Sequence, residues 1–505
     1  MKFLKRLFKI NKSSYSIKNK ENLSQLKKVA VVVPVYNAEK FLAKTIESVI
    51  NQSIGLDNIQ LILVDDGSKD NSRNILNDYA EKYKEITVVF LNENTGGPAG
   101  PRNLGIELSN AEYITFIDAD DWFEIDGLEK LYNIIKETGD DYIVGKTIEV
   151  KNGASRIVGK QESCKERRSV DPFEINDIFK HLGPRARMVK SNIIKDNNIK
   201  FPHMKFAEDK QFFIDVLLQC KKISTTTDII YYLNRNDEND TSLTKQTNTM
   251  QKMDTNIKVI KYIKSKNLPV EKERIILNRL YEYDCITRLF NRKAFLDSKN
   301  KEQFYKKYQE ILDTTKDLRY DFTEDIKSEI NYKINELFNE GKDNSIIKLI
   351  KYSRLKDRSK KTYDIINNKP YLIADFLEDK HKNIPMNMFA AYKNSYIKDN
   401  KYVIEIEAYG NFLDNIDSFV VEKRCDEYSA DNVHYYEVER EGNNIKVELD
   451  LEKLAFLEST TYKVFLRYNG HYELFIYNNE KKIGKEKEIV QLYTTINSNI
   501  GLKIK

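Results

Sequence analysis

The chain has 505 residues, 40% of them hydrophobic and 32% charged, which is ordinary for a soluble globular protein with two or three domains. Its four cysteines lie far apart and form no pair with metal-ligand spacing, so the sequence argues against a zinc site and favours a reducing compartment. No apolar run reaches the length of a membrane span and no secretory signal is present, so we expect a cytoplasmic protein.

The basic character is concentrated in the N-terminal tail, residues 1–28, which holds nine Lys or Arg and one acid, while the whole chain has a net charge of only +5. Apolar residues recur there at helical spacing: Phe3, Leu4, Leu7, Phe8 and Ile10. Short basic amphipathic helices of this type lie on anionic membrane surfaces. Peripheral membrane contact and a solvated leader both stay open, whereas no motif indicates nucleic-acid binding.

After the tail, apolar runs alternate with helical patterns. The runs at 29–33, 59–64 and 86–91 predict buried strands, and the segments between them predict helices. Strands and helices that alternate at this spacing form βαβ units, so we predict a parallel sheet in an α/β domain. Ligands bind such sheets beyond the carboxyl ends of the strands.

A fourth strand, predicted at 113–117, ends in the motif Asp-Ala-Asp-Asp at 118–121. We expect its three carboxylates to face solvent together, an arrangement that a bound cation stabilises. Mg²⁺ or Mn²⁺ fits, because these hard cations bind through one or two carboxylates while they hold the phosphates of a substrate. The alternative is an acidic loop that caps the helix predicted at 127–138.

The other strand exits are also polar or rich in glycine: 34–36, 65–68 and 94–97. The last of them opens a glycine- and proline-rich loop, 94–103, whose backbone amides and Arg102 are suited to an anion or a base. It is not a P-loop, because no Gly-Lys-Ser/Thr follows. A rigid turn with a surface arginine is the alternative interpretation.

Four motifs follow one another in the order and spacing of family 2 glycosyltransferases of the GT-A fold, which this chain resembles. They are Val-Val-Val-Pro-Val-Tyr-Asn-Ala-Glu-Lys at 31–40, Leu-Val-Asp-Asp-Gly-Ser-Lys-Asp at 63–70, Gly-Gly-Pro-Ala-Gly-Pro-Arg-Asn at 96–103 and Ile-Asp-Ala-Asp-Asp at 117–121. The text at 193–202 and 207–209 also resembles bacterial enzymes that glycosylate wall teichoic acid, the poly(ribitol phosphate) N-acetylglucosaminyltransferases. The resemblance spans about residues 28–245 and implies a GT-A domain at 29–245.

The resemblance implies a site for a UDP-sugar and a divalent cation at these motifs. The implied donor-binding residues are Pro34, Tyr36, Asp66, Asn94, Arg102, Asp118, Arg187 and Arg235. Asp120 would bind Mn²⁺ or Mg²⁺, which neutralises the diphosphate leaving group. Related enzymes tend to place a histidine that reaches the metal in the loop at 233–244. Asp240 lies nearest to that position here and is the second implied ligand.

An acid pair, Glu208 and Asp209, precedes an apolar helical segment. The resemblance implies that Asp209 is the catalytic base, with Glu208 as the second candidate. Capping of the helix by the pair is the other interpretation, and it is compatible with catalysis. Upstream, Arg185 and Arg187 precede a predicted helix. By resemblance Arg187 lies near the diphosphate, and surface charge is the alternative for both arginines.

The remaining sequence changes period twice. Residues 246–360 have a helical pattern, which predicts a linker or small bundle. Residues 361–505 alternate polar and apolar positions, which predicts an antiparallel β-sandwich. The clearest alternating runs are 402–409, 445–449, 462–468 and 472–476. In position and pattern this region resembles C-terminal domains through which some teichoic acid glycosyltransferases form trimers.

These residues favour an inverting, metal-dependent glycosyltransferase. It would move a sugar, GlcNAc by resemblance, from a UDP-sugar to a hydroxyl of a cell-wall polymer such as wall teichoic acid. The alternatives are a capsular, exopolysaccharide or protein glycosyltransferase of the same fold, and a glycan-binding scaffold without activity. The presence of Asp118, Asp120 and Asp209 argues against the scaffold. We expect a homo-oligomer in the cytoplasm, in peripheral contact with the inner face of the cell membrane.

Overall fold

The computed structural model describes residues 14–237, 247–291, 293–480 and 489–505. The chain forms two compact units, Met1–Arg279 and Leu280–Lys505. The amphipathic segment 1–10 lies outside the described residues, so its membrane contact stays a prediction, as do the domain boundaries predicted from the sequence. Within the described ranges, no helix is long and apolar enough to cross a membrane.

The first unit contains a mixed sheet flanked by helices. Its strands are β1 (Tyr15–Lys18), β2 (Lys27–Val35), β3 (Ile59–Asp65), β4 (Thr87–Leu91), β5 (Ala111–Phe116), β6 (Trp122–Phe123), β7 (Tyr142–Lys151), β8 (Ala154–Val158), β9 (Arg167–Val170), β10 (Arg187–Lys190) and β11 (Ile223–Asn234). Its helices are α1 (Leu42–Ile50), α2 (Ser72–Lys82), α3 (Ala99–Leu108), α4 (Gly127–Thr138), α5 (Lys160–Ser163), α6 (Ser191–Asp196), α7 (Glu208–Gln219), α8 (Thr249–Lys264) and α9 (Val270–Asn278).

The strands predicted from the apolar runs pair in parallel, as expected. The order across the sheet begins β1-β4-β3-β2-β5, and β2 pairs in parallel with both β3 and β5. The chain therefore leaves β2 toward one side through β3 and β4, and then crosses to β5 on the other side. The carboxyl ends of these strands share one edge, with a switch point between β2 and β5. The first turns that follow β2, β3, β4 and β5 carry the motifs.

A cluster of phenylalanines attaches α7 to the sheet next to this edge. Phe116, at the end of β5, makes edge-to-face contacts with Phe201, Phe212 and Phe213. Phe201 also stacks on Phe212 with the ring centroids 3.8 Å apart. All four rings are buried. Such aromatic pairs add to the hydrophobic free energy of burial, so the start of α7 is held firmly against the end of β5.

The second unit is helical at first and β-rich afterwards, as predicted. A π-helical segment, Arg279–Thr287, lies within the region 246–360 for which a helical pattern is predicted, because apolar spacing alone does not distinguish α from π turns. The helices that follow are α10 (Arg288–Phe290), α11 (Lys293–Asp297), α12 (Glu302–Asp313), α13 (Glu329–Asn339), α14 (Asp343–Ser353), α15 (Asp379–Lys382) and α16 (Leu451–Ala455).

The strands of the second unit include the four alternating runs. They are β12 (Thr362–Ile366), β13 (Lys369–Ile373), β14 (Asn383–Pro385), β15 (Met388–Lys398), β16 (Lys401–Gly410), β17 (Ile416–Lys423), β18 (Val433–Tyr436), β19 (Glu439–Glu441), β20 (Asn444–Asp450), β21 (Thr461–Tyr468), β22 (Tyr472–Tyr477), β23 (Val490–Thr494) and β24 (Ile500–Ile504). The described pairs are antiparallel except β15 with β22. Inward residues of β16, β17, β20 and β21 share one hydrophobic core, as expected for a sandwich.

Candidate active site

The acid motif after β5 contains carboxylates in different environments. Asp118 and Asp120 are half-buried, whereas Asp121 is only 1% exposed. The Tyr231 hydroxyl donates a hydrogen bond to Asp121 Oδ2 (2.6 Å), and the Asn234 backbone N–H donates to Oδ1 (2.7 Å). Burial and the charges of Asp120 and Asp118 raise the pKa of Asp121. The expectation that all three carboxylates face solvent is therefore wrong for Asp121, which anchors the end of β11.

Arg102 connects this motif to the acid pair. Its Nη2 donates to Asp118 Oδ1 (2.6 Å) and its Nη1 donates to Glu208 Oε1 (3.1 Å). The arginine is only 3% exposed and lies over the Phe201 ring. The interpretation as a surface arginine is wrong. The buried guanidinium instead forms a bridge between the strand that carries the acid motif and the first residue of α7, a geometry that rigidifies both.

The acid pair occupies the first turn of α7. The preceding residue, Ala207, has a left-handed backbone (φ 70°), which is strained for a residue with a Cβ. Ala207 itself makes no side-chain capping bond, but Asp209 Oδ1 accepts from the Lys210 backbone N–H in the first turn, so one acid of the pair does bind a free N–H at the helix start. Both acids also lie where the helix dipole favours negative charge.

The two acids of the pair differ in their surroundings. Glu208 is buried against Arg102. Burial and the neighbouring charge of Asp209 raise the pKa of Glu208 from 4.5 to about 7, although Arg102 opposes this shift. Asp209 is half-buried, and its Oδ1 accepts a hydrogen bond from the Lys210 backbone N–H (2.8 Å). Of the pair, Asp209 is thus the carboxylate more accessible to a ligand.

The exits of β2, β3 and β4 meet at the same edge. Asp66 is 2% exposed, and its Oδ1 accepts from the Thr95 backbone N–H (2.9 Å). The Asn94 side chain donates to the Asp66 carbonyl oxygen (3.0 Å) and accepts from the Gly96 N–H (2.7 Å), so it organises the loop. Burial raises the pKa of Asp66 to about 6. A protonated or ionised Asp66 can pair with the polar edge of a base.

The residue that follows β2 carries an exposed ring, and its neighbour Val35 binds the Asp66 backbone. Tyr36 is 50% exposed, and Pro34 is half-buried. The Asp66 backbone N–H donates to the Val35 carbonyl oxygen (2.7 Å), which keeps the two strand ends together. An exposed aromatic face next to polar hydrogen-bonding groups is suited to a planar nucleobase. Pro34, Tyr36, Asp66 and Asn94 are therefore brought together as the sequence predicts.

Arg187 is not placed as predicted. Its side chain is 0% exposed at the start of β10, where Nη2 donates to both oxygens of Glu162 (3.1 Å each). The expected contact with a diphosphate is wrong for this structure, because the guanidinium is enclosed and paired. The surface-charge alternative is wrong for the same reason. No local pattern around Arg187 indicates its partner Glu162, which lies 25 positions upstream.

The two remaining predicted residues follow β11. Arg235 is half-buried, and its Nη1 donates to the Asn234 carbonyl oxygen (3.1 Å). The Asn234 backbone N–H also donates to Asp121, so Arg235 is the next residue in sequence after one that contacts the acid motif. Asp240 lies outside the described residues, so its metal role stays a prediction.

Sequence reasoning missed two neighbours of the site. His203 is exposed and interacts electrostatically with Asp66. Its loop is held in place by Asn103, whose side chain donates to the Phe201 carbonyl oxygen (2.8 Å) and accepts from the Phe201 N–H (2.9 Å). Trp122, directly after the acid motif, stacks on Tyr232 with 5.5 Å between the ring centroids. Neither neighbour has a local sequence signal, because long-range packing creates both contacts.

The carboxylate oxygens of the acid motif are suitable ligands for a hard divalent cation. Asp121 is bound by Tyr231 and Asn234, whereas Asp118 and Asp120 are only half-buried. One or two carboxylates are the usual protein share of a Mg²⁺ or Mn²⁺ site that also binds phosphates. The residues present therefore fit such an ion.

One edge of the sheet in this α/β domain carries the carboxylates of the acid motif and an exposed aromatic ring, and α7 adds the acid pair. These features are typical of a nucleotide-sugar transferase. The profile "Glycosyl transferase family 2" matches residues 30–196. An uncharacterized glycosyltransferase of Haemophilus influenzae is 33% identical over 201 residues, which cover 38% of this chain and 73% of that protein. The chain belongs to glycosyltransferase family 2.

Two curated relatives act on poly(ribitol phosphate) by name. The beta-glucosyltransferase of Bacillus spizizenii is 37% identical over 206 residues, 41% of this chain and 32% of that protein. The beta-N-acetylglucosaminyltransferase TarP of Staphylococcus aureus is 39% identical over 217 residues, 42% of this chain and 64% of that protein. The chain thus spans about a third to two thirds of the length of these curated relatives.

The fold is similar to that of S. aureus TarS. The crystal structure of TarS has a TM-score of 0.58 at 20% identity and covers 95% of this chain and 85% of that chain. The structure of TarS 1-349 in complex with UDP-GlcNAc has a TM-score of 0.57 at 22% identity and covers 71% of this chain and 99% of that chain. The expected GT-A-like domain followed by a helical and a β-rich region is confirmed.

Proposed function

We propose that this protein is an inverting glycosyltransferase that moves a sugar from a UDP-sugar to a hydroxyl of poly(ribitol phosphate) or a closely related wall polymer. The observation that carries this proposal is the Arg102 bridge between Asp118 and Glu208. It joins a donor-side carboxylate motif to the acid pair that begins α7. Donor and acceptor groups must meet within a few ångströms for a direct transfer, and the bridge holds the two elements at that range.

The donor pocket consists of the exits of β2, β3, β4 and β5. Tyr36 supplies an aromatic face for uracil, and Asp66 accepts or donates hydrogen bonds at its edge. Asp118 accepts from a ribose hydroxyl. The sugar that we propose is GlcNAc, since TarP is a poly(ribitol-phosphate) beta-N-acetylglucosaminyltransferase and TarS 1-349 has been solved with UDP-GlcNAc. Glucose is the second candidate, because the B. spizizenii relative is a beta-glucosyltransferase.

Asp118 and Asp120 would hold Mn²⁺ or Mg²⁺. Such a cation, when bound, neutralises charge that develops on the departing diphosphate. Asp120 is the main ligand in this proposal, as the resemblance implies, and Asp118 is bound by Arg102.

Asp209 is the general base. It takes the proton of the acceptor hydroxyl as the hydroxyl oxygen forms a bond to the anomeric carbon and the bond from that carbon to the UDP oxygen breaks. One displacement inverts the configuration, so an α-linked donor gives a β-linked product. Glu208 is buried and bound to Arg102, so its proposed task is to position the bridge and the start of α7.

The whole protein acts in the cytoplasm at the inner face of the membrane in this proposal. The basic tail 1–28 attaches it to anionic lipid, and the β-rich region assembles it into a trimer. Two observations from the sequence support these points: the charge of the tail and the pattern of the C-terminal region.

The experiment that tests the proposal is a transfer assay with purified full-length protein, poly(ribitol phosphate) and a set of UDP-sugars, with Mn²⁺ or with EDTA. We expect UDP release that depends on both the polymer and the cation, fastest with UDP-GlcNAc. UDP release that is equal with and without the polymer would refute the proposed acceptor. UDP release that EDTA does not change would refute the proposed role of the metal.

A further inference from the structure

Four residues around the start of β10 form a charged cluster, partly buried, that the proposed reaction does not use. This arginine cluster consists of Glu162, His181, Arg185 and Arg187. Glu162 accepts from His181 Nδ1 (2.7 Å) and from Arg187 Nη2 (3.1 Å). Arg185 Nη2 lies 3.0 Å from His181 Nε2.

The hydrogen bonds determine the charge of the cluster. A guanidinium has no acceptor, so Arg185 must donate to His181 Nε2, and the proton of the imidazole is on Nδ1, where it binds Glu162. His181 is therefore neutral. Two arginines face one carboxylate, and the cluster keeps one excess positive charge. Arg167 adds to it, since its Nη1 donates to the Glu162 carbonyl oxygen (3.4 Å).

Donors in the cluster are also left without partners. Arg187 Nη1 and Arg185 Nε are both buried and have no hydrogen-bond partner among the described residues. Buried donors are almost always paired in folded proteins, because each unpaired one costs about 1–3 kcal/mol. Excess positive charge together with unpaired guanidinium donors indicates an anion. Of the two arginines, Arg185 is half-buried and Arg187 is fully enclosed, so Arg185 is the one that a ligand can reach.

The cluster lies on the acceptor side of the site. Because β10 runs antiparallel to β5, Arg187 begins β10 at the edge where β5 ends and the acid motif begins. The Arg187 guanidinium carbon is 4.8 Å from the centre of the Phe213 ring on α7. Asp209 and Phe213 are four residues apart, so they share one face of α7 about one turn, or about 5.4 Å, from each other.

This spacing matches the chemistry of a polyol phosphate. Each ribitol unit carries its free hydroxyls within a few bonds of a phosphodiester. A hydroxyl at Asp209 therefore brings a phosphate to within roughly one helical turn, the same spacing that separates Asp209 from the residue against which Arg187 packs, Phe213. Arginine binds phosphate through paired, charge-assisted hydrogen bonds.

We propose that Arg185 binds a phosphodiester of the acceptor and that Glu162, His181 and Arg187 form the buried base that orients it. This inference rests on the proposed function, because it assigns the neighbouring phosphate of the same acceptor. A second source of the anion is the diphosphate of the donor, and the experiment distinguishes the two.

The test compares Arg185→Gln with Arg156→Gln in the full-length protein. Arg156 lies on β8, pairs with Glu149 (2.7 Å) and has a side chain that is 73% exposed, so its removal changes net charge equally without touching the cluster. Binding of a synthetic ribitol-phosphate tetramer and of UDP-GlcNAc is measured separately by calorimetry, and KM and kcat are measured with the tetramer and with free ribitol.

We expect Arg185→Gln to weaken tetramer binding and raise its KM by about ten- to a hundredfold, which is the range for a lost charge-assisted hydrogen bond. UDP-GlcNAc binding, kcat and the reaction with free ribitol should match Arg156→Gln. Arg185→Lys should recover part of the affinity for the tetramer, because lysine keeps the positive charge but lacks the paired donors of the planar guanidinium.

The outcomes separate this inference from the proposed function. Tetramer binding that depends on Arg185 without any transfer would support the subsite and refute the proposed reaction. Normal transfer with equal KM values in the two variants would overturn the subsite and leave the reaction intact. Weaker UDP-GlcNAc binding with unchanged tetramer binding would overturn the acceptor assignment and move the anion to the donor.

Discussion

Adjacent carboxylates in this protein have different environments because their partners differ. Asp121 is enclosed by Tyr231 and Asn234, Asp118 is bound by Arg102, and Asp120 is half-buried. The same contrast separates Glu208 from Asp209 on α7. A sequence motif does not distinguish these acids from one another, whereas their hydrogen-bond partners in the structure do.

The first prediction separates a metal ligand from a base. Asp120→Asn should weaken the binding of UDP-sugar and Mn²⁺ together, because a neutral amide does not offset the cation's charge. Asp209→Asn should keep donor binding while turnover falls by about 10² to 10⁴, the usual contribution of a positioned base. Calorimetry and a turnover assay on each variant test this. Near-normal turnover in Asp209→Asn would move the base to Glu208.

The second prediction concerns the pH dependence of stability. The pKa of Glu208 rises from 4.5 to about 7 on folding, so the folded state holds a proton that the unfolded chain has released between these values. The contribution of Glu208 to stability is full below about pH 4.5 and is lost as the pH rises through about 7. Glu208→Gln should remove a slope of up to about 1.4 kcal/mol per pH unit in this window.

Urea unfolding of the wild type, Glu208→Gln and the exposed control Glu21→Gln at several pH values measures this slope. Parallel curves for the wild type and Glu208→Gln would show that Glu208 does not change its protonation on folding.

At the scale of elements, the strand exits depend on one tight turn. Gly67 has a positive φ (72°), and a Cβ there would lie 3.0 Å from the Asn94 backbone nitrogen. The turn after β3 therefore packs directly on the loop after β4. Both loops belong to the proposed uracil pocket, so we expect donor binding to depend on their separation.

The third prediction compares Gly67→Ala with Gly139→Ala. Gly139 also has a positive φ (69°), but nothing lies within 4 Å of its would-be Cβ. Each change should cost about 1–2 kcal/mol of backbone strain. Only Gly67→Ala should also weaken UDP binding, because the Asn94 backbone must move. Equal UDP affinities by calorimetry, at similar losses in thermal stability, would contradict the role of this turn.

Much of the architecture could be predicted from the sequence because it has a local cause. The apolar run at 29–33 predicts β2, and the alternation at 402–409 predicts β16, since burial on two faces or on one face leaves a direct periodic trace. The burial of Arg187 has no such trace. Its partner Glu162 is distant in sequence, and a charge pattern does not reveal whether a fold will enclose it.

The site shows the same division. Its strand-end residues Asp66 and Asp118 follow predicted strands, so their common edge could be inferred from the parallel sheet. The Arg102 bridge could not, because it needs α3, β5 and α7 to meet. The burial of Asp121 could not be predicted for a related reason, because the hydroxyl that binds it belongs to Tyr231, 110 positions away.

For the whole molecule, we expect the first compact unit to bind the donor and the second to determine the oligomeric state. The site residues described above lie in the first unit, Met1–Arg279. The fourth prediction is that a chain ending at Arg279 binds UDP-GlcNAc as a monomer, whereas the full chain is a trimer. The shortened chain should act normally on short acceptors and less well on long polymer, because multivalent engagement is lost. Light scattering that shows the same oligomer for both chains would locate assembly in the first unit.

The most direct test of the central claim is the structure of the product. Full-length protein, UDP-GlcNAc, Mn²⁺ and a ribitol-phosphate oligomer are followed by NMR as the reaction proceeds. The fifth prediction is that β-linked GlcNAc appears on a ribitol hydroxyl in step with UDP, and that Asp209→Asn suppresses both signals. Free GlcNAc without a new glycosidic bond, or an α-linked product, would contradict an inverting transfer by Asp209 across the Arg102 bridge.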